Sequence, residues 1–358
     1  MPTHDAEANV YDLYIACAGD DRIDRLALDT ASGALTATGE SYPAPGIRTS
    51  AYDADRGLFY SGQSSQPATV QVLRRDDDGA LASVATAEVP AKCVSIALAQ
   101  DGSAVYSASY HGHSVHGLPL DADGIPDPPA VAGDAPGEKA HSVVVSPDGA
   151  HAYVASLGDD VVVAYAVDGA RLSEVSRVSS PAGSGPRHQR FNAAGDRLYV
   201  LHEMSGLVTV FEREASTGRL TGLQHIDAVP DSLDLVPGWA RDGNTPVPGL
   251  DRIWCADLHL AADGRFLYTT ERSTSTVTGF AVDGDSGTLT YAGTWETEKQ
   301  PRGAAVVPGA GGRDYLVVAG EASGTVGAHP VDPQTGALGA AVGVATGAGP
   351  LWVEPVSR

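Results

Sequence analysis

Apolar residues in this chain come in short runs, either alternating with polar ones or continuous over about 5–8 positions, and each run is closed by Gly, Asp, Pro or Asn. No segment sustains the i, i+3, i+4 spacing of an amphipathic helix, so the pattern predicts strands throughout. One stretch shows the unit clearly. RHQRFNAAG reads as a strand and its turn, DRLYVLHE as a second strand, LVTVFERE as a third and LTGLQHID as a fourth. Asp-Gly pairs at Asp101-Gly102, Asp148-Gly149 and Asp263-Gly264 mark the tight turn from first to second strand.

This unit repeats. A tyrosine after a turn and a short apolar run recurs at Tyr14, Tyr60, Tyr106, Tyr153, Tyr199 and Tyr268, with Val317 in the seventh place, at spacings of 46, 46, 47, 46, 69 and 49. A glycine opening a G-x-L-T-like turn follows each of them: Gly33, Gly79, Gly124, Gly169, Gly218, Gly287 and Gly336. Five of the seven lie 19 residues after their marker and the other two 18 and 16 after it. Four-stranded units of this length predict an all-β, seven-bladed β-propeller, one domain over residues 1–358. A solenoid is the alternative, but it needs capping repeats. Here the tail GPLWVEPVSR resembles a first strand, whereas YDLYIACAG begins as a second. The N- and C-terminal strands are therefore expected in one blade, closing the ring and removing sheet edges. The 69-residue spacing holds about 23 residues more than the 46-residue period, placing a long loop within 227–252, between a fourth strand and the next first strand.

Composition narrows the function classes. The net charge of −22 argues against nucleic acid and anionic membranes, which need a basic footprint. No run approaches the roughly 20 apolar residues of a membrane span. The segment MPTHDAEANV lacks the basic head and apolar run of a secretory signal. Three scattered cysteines, Cys17, Cys93 and Cys255, suggest neither a disulfide framework nor a zinc site, and a reducing cytoplasm is the expectation. The histidines of HGHSVH (His111, His113, His116) lack a metal-ligand spacing and read as surface residues on a turn. Cys17 is within reach of the channel, yet nothing beside it marks an activated thiolate. There is no G-x-S-x-G, H-E-x-x-H or G-x-x-x-x-G-K-[ST] motif, and PGAGG at 308–312 precedes a strand, as a turn does.

In a propeller, equivalent positions of each repeat meet around the axis. Counting 12 residues back from the tyrosine marker gives Arg48, His141 and Arg187, with Arg302 joining them once VPGAGGR is gapped out. Counting 4 forward gives Ala18, Ser64, Tyr110, Leu157, Glu203, Arg272 and Glu321. Both positions lie at one face, so Arg48, His141, Arg187, Glu203, Arg272, Arg302 and Glu321 are expected at one channel mouth. The plain alternative is a wet channel whose Arg–Glu pairs only tie blades together. Alternation along a strand leaves His188 and His202, each beside a mouth residue, able to point away. His188 is kept as a substrate-binding candidate with Arg48, Tyr110, Arg302 and Glu321.

The segments AHSVVVSPDG, GSGPRHQRFN, LYVLHEMSGLVTVF, ADLHLAADGRFLYTTERSTSTVTGF, KQPRGAAV and GAGPLWV resemble the propeller-type lactonases, a family that includes bacterial 6-phosphogluconolactonases and fungal carboxymuconate lactonising enzymes. The resemblance spans all seven repeats. It implies an active site of His141, Arg187, Glu203 and Arg272, adds Asp257 and His259 of ADLH near the channel, and departs from the family in the long insertion before Trp254. It implies lactone hydrolysis without metal or other cofactor, and the excess of Arg48, Arg187, Arg272 and Arg302 over Glu203 and Glu321 at the mouth points to an anionic sugar-acid lactone, first of all 6-phosphogluconolactone. An aldaric or uronic acid lactone, a muconate-type cycloisomerisation and a non-catalytic binding propeller are the other readings. Glu203 or His141 would take a proton from water, while Arg187 and Arg272 would hold the oxyanion and the anionic tail. A monomer is expected, because a closed ring has no sheet edge in need of a partner.

Overall fold

The computed structural model describes residues 9–241 and 249–358. Among them, seven four-stranded antiparallel sheets form the blades of one propeller, six of them built from consecutive strands. The seventh sheet is the closure: Pro350–Ser357 is its first strand and pairs with Val10–Cys17, which sets Ile15 opposite Val353 and Tyr14 opposite Glu354. Counting this as blade one, the first strands of blades two to seven are Ile47–Asp53, Ser95–Leu98, Ala140–Val145, Pro186–Phe191, Cys255–Leu260 and Pro301–Val307.

Burial explains why the pattern reads as it does. Second strands such as Leu58–Gln63, Ala104–Ser109 and His151–Ser156 are covered on both faces and buried at every position. Fourth strands such as Arg171–Ser179 lie at the rim and alternate with solvent. The apolar side chains gather into seven clusters, one at each junction between neighbouring blades. Leu13, Ile15 and Leu28 of blade one meet Val317 and Val326 of blade seven, for example, and Tyr153 and Val162 of blade four meet Leu198 and Phe211 of blade five.

The first strands share a local irregularity that builds the site. In six of the seven, the ladder slips one step at the position near the channel mouth. The slip falls at Arg48, His141, Arg187, Arg302, Leu351 and the pair Ala256–Asp257. A β-bulge leaves its extra residue outside the cross-strand pairing and re-aims its side chain. The residues that register arithmetic selects are thus the ones released from the ladder.

The insertion lies on the same face. After Asp227 it makes a short 3-10 turn at Asp231–Leu233, and Val236 bridges Arg252 in parallel. It is pinned over blade five by the Gly238 amide, which donates to the Met204 carbonyl at 2.9 Å. Ala228, Val229 and Ile253 join the apolar cluster between blades five and six. The segment 242–248 of the expected loop, and residues 1–8, lie outside the described residues.

Candidate active site

A cavity of about 220 Å³ opens at the channel mouth. Its wall carries Arg48, Tyr110, His141, Arg187, His188, Glu203, Arg272 and Arg302 from the sequence expectation, together with Val94, His111, Arg241, Trp254, Leu351 and Trp352. Val94 and Leu351 hold the same first-strand register as Arg48, His141, Arg187 and Arg302, so six blades present arginine, valine, histidine or leucine from one backbone position.

The centre is an ion cluster that excludes water almost completely. Arg187, Glu203 and Arg272 are 2, 5 and 4% exposed. Oε2 of Glu203 accepts from Nε of Arg187 at 2.6 Å and lies 3.0 Å from Nη2 of Arg272, while Oε1 faces the Trp254 indole N–H at 3.3 Å. Arg187 donates through Nη1 to the Ala256 carbonyl. Arg272 donates to the carbonyls of Trp254 (2.9 Å) and Cys255 (2.8 Å), and its guanidinium stacks 3.8 Å from the Trp254 ring centroid. These bonds leave Nη2 of Arg187 and Nη1 of Arg272 without a partner among the described residues. Burial pushes the Glu203 carboxyl up, but Arg272 and Arg187 outweigh it and keep the group ionised.

Charge around this cluster is lopsided. Arg302 is neutralised by Glu321 at 2.7 Å, and Gln300 takes the other oxygen of Glu321 at 3.0 Å. Arg48 makes no ion pair or hydrogen bond among the described residues, and burial together with the nearby Arg302 lowers its affinity for its proton. The opposite wall is aromatic: Tyr110 and His141 meet edge to face at 5.8 Å between centroids, His141 and His188 at 5.3 Å, and His188 and Trp352 at 6.1 Å. The phenol of Tyr110 donates to the Arg241 carbonyl, so the insertion forms part of the wall.

Three expected substrate contacts do not line the cavity. Asp257 lies directly behind His188, with Oδ1 2.7 Å from Nδ1 of that ring. His259 is deeper along the same strand and binds the other oxygen of Asp257 at 3.1 Å. Glu321 stands behind Arg302. In each case a nearer side chain occupies the path to the cavity. The HGHSVH reading holds for His111 and His113, which lie exposed on a turn, His111 also reaching the cavity wall and His113 accepting the Lys139 amide at 2.9 Å; it fails for His116, which is buried within the strand Ser114–Pro119. Among the described residues, no group of three or more His, Cys, Asp or Glu side chains is placed to hold a metal ion.

A family model described as "Lactonase, 7-bladed beta-propeller" matches residues 12–355. The 6-phosphogluconolactonase of Pectobacterium carotovorum subsp. carotovorum is 31% identical over 284 residues, covering 78% of this chain and 80% of its own. That of Serratia proteamaculans is 29% identical over 326 residues, covering 89% and 91%. Among solved structures, the periplasmic gluconolactonase of Pseudomonas aeruginosa superposes with a TM-score of 0.84 at 27% identity, covering 97% of this chain and 99% of that one. Among the described residues, no helix is long and apolar enough to cross a membrane.

Proposed function

The chain belongs to the seven-bladed β-propeller lactonase family, and from that membership we propose that it hydrolyses an anionic sugar-acid lactone, 6-phosphogluconolactone to 6-phosphogluconate. The observation that carries the charge of the substrate is Arg48, a cation on the cavity wall with no ion pair or hydrogen bond among the described residues, beside a cluster whose two arginines keep free N–H groups. A neutral lactone would leave these donors unpaired, whereas a phosphate or carboxylate would satisfy them. Each charge-assisted bond contributes about 1.5–3 kcal/mol, roughly one to two decades in affinity.

In this reading the lactone carbonyl faces Nη2 of Arg187 and Nη1 of Arg272, which stabilise the charge that develops on its oxygen. Glu203 fixes both guanidiniums in place, and stacking on Trp254 keeps Arg272 from following the substrate. His141 and Tyr110 border the ring-shaped ligand. The distal anion lies toward Arg48 and Arg302. Three buried, unpaired thiols suit a reducing cytoplasm, and the closed ring suits a monomer.

The test is a lactone panel followed by acid release. 6-Phosphogluconolactone is expected to be opened with a higher kcat/KM than glucono-δ-lactone, and an aldaric or uronic lactone to fall between them. Equal turnover of charged and neutral lactones would refute the anionic substrate, and no turnover of any lactone would refute the activity.

A further inference from the structure

Opening a lactone needs a group that accepts a proton from the attacking water, and the cavity wall offers Glu203, His141 and His188. Glu203 is unsuited, because both of its oxygens already face donors: Arg187 and Arg272 on one side, Trp254 on the other. His141 lacks an orienting partner, since its Nδ1 is buried without a hydrogen bond. Nothing therefore holds that ring in the tautomer that would leave Nε2 free.

His188 differs on each point. Its Nδ1 lies 2.7 Å from Oδ1 of Asp257, a carboxylate only 1% exposed. Asp257 is itself clamped by the Leu258 amide at 2.9 Å, the Ala304 amide at 3.1 Å and Nε2 of His259 at 3.1 Å. Donors from blades five, six and seven thus converge on one carboxylate, which stays ionised and fixes the imidazole. With the ring proton on Nδ1, the lone pair is on Nε2, which has no partner among the described residues. The bulge at Arg187 explains how two consecutive residues reach one cavity: the slipped register suspends the alternation that would turn His188 away. Burial and the adjacent Arg187 hold the imidazole at about 4, so it is neutral and able to accept a proton at pH 7.

We propose that His188, oriented by Asp257, is the general base of this site, an inference that rests on the lactonase reading. Nε2 takes a proton from water as the water oxygen bonds to the carbonyl carbon, and the carbonyl electron pair moves onto the oxygen facing Arg187 and Arg272. Collapse re-forms the carbonyl and breaks the bond to the ring oxygen, which takes the proton back from the imidazolium. One water is added and the product is the open hydroxy acid. Asp257 touches no reacting atom and is a positioning residue.

The experiment compares hydrolysis of 6-phosphogluconolactone at pH 7 by the full chain, His188→Ala and Asp257→Asn. His188→Ala is expected to lower kcat by about 10²–10⁴-fold with KM within about threefold, and added imidazole to restore about tenfold of the loss. Asp257→Asn keeps the shape but removes the acceptor that fixes the tautomer, and is expected to lower kcat about 10²-fold or more at similar KM. A wild type that opens no lactone overturns the lactonase reading and this inference with it. An active wild type with His188→Ala within about threefold of its kcat overturns this inference alone, as does a folded His188→Ala that imidazole fails to rescue. Should circular dichroism show His188→Ala unfolded, His188→Gln decides by the size of its kcat loss.

Discussion

The phenol of Tyr199 donates a hydrogen bond of 2.9 Å to the carbonyl of Gly287, 88 residues away in the next blade. The same bond joins Tyr14 to Gly79, Tyr60 to Gly124, Tyr106 to Gly169, Tyr153 to Gly218 and Tyr268 to Gly336. Where Val317 replaces the tyrosine, Tyr315 donates instead to the Thr30 carbonyl at 3.3 Å, beside Gly33. The two repeat markers are thus the two ends of one interaction between blades. Glycine is required because the turn needs a positive φ, 74° at Gly287, and because a Cβ there would press on Arg197 at 2.7 Å.

Tyr199→Phe is expected to leave a buried carbonyl unsatisfied and to cost about 1–3 kcal/mol in urea unfolding. Because these bonds fasten the turns on the face away from the cavity, kcat is expected to stay unchanged. A variant as stable as wild type would show that this bond adds nothing net to the hold between blades five and six.

Arg48→Ala is expected to raise KM for 6-phosphogluconolactone about 10–100-fold while leaving kcat/KM for glucono-δ-lactone nearly unchanged. Raising salt should weaken the charged substrate in wild type more than in the variant. Arg187→Ala should also narrow the preference, with a fall in kcat as well, since that guanidinium is placed at the reacting carbonyl. Steady-state kinetics on both lactones checks each point.

Glu203→Ala removes the shared counter-ion of two buried guanidiniums. Breaking such a pair costs about 3–5 kcal/mol, and activity should be lost as well. Glu203→Gln retains the volume and one acceptor oxygen, so it should be the milder change in both respects. Chemical denaturation beside turnover separates the two effects.

Below the cavity the channel continues past Ser50, Ser95, Ser142 and Arg190 to Glu354. That carboxyl accepts from Ser50 at 3.2 Å and from the Trp352 indole at 3.3 Å, and burial pushes it up to about 7. A raised carboxyl binds its proton more tightly when folded, so its contribution is fully present below the unfolded value near 4.5 and is lost as pH rises toward 7. The loss amounts to at most about 3 kcal/mol, less where channel water reaches the group. Glu354→Gln should therefore be more stable than wild type at pH 8 and equal to it at pH 4.5, as urea midpoints at the two pH values would show.

Residues locked to the repeat were legible in the sequence, and those outside it were not. Arg48, His141 and Arg187 occupy one register, so counting back from a tyrosine places them at the mouth, and Arg302 follows once VPGAGGR is gapped out; Val94 sits 12 before Tyr106 at the same register, but an apolar side chain carries no chemical signal. Arg241 lies in the insertion, where no period exists to count with. Trp254 and Trp352 are visible only once the Glu203 cluster and the final strand are in place. The sequence places Glu321 at the mouth and Asp257 and His259 near the channel, but depth along the channel depends on which side chain stands in front. His116 shows the opposite failure: a histidine-rich string looked like a turn, although its last member already belongs to a strand.

The slipped ladder at six of the seven first strands has a consequence for how such a site changes over time. A residue outside cross-strand pairing has no partner whose shape it must match, so it can be exchanged without disturbing the register of its blade. This chain displays the result, with arginine, histidine and leucine all carried on the same backbone step. Selection can therefore revise the ligand's chemical surroundings one blade at a time, each trial substitution leaving the scaffold intact. A ring of this kind separates the inheritance of a fold from the inheritance of a specificity.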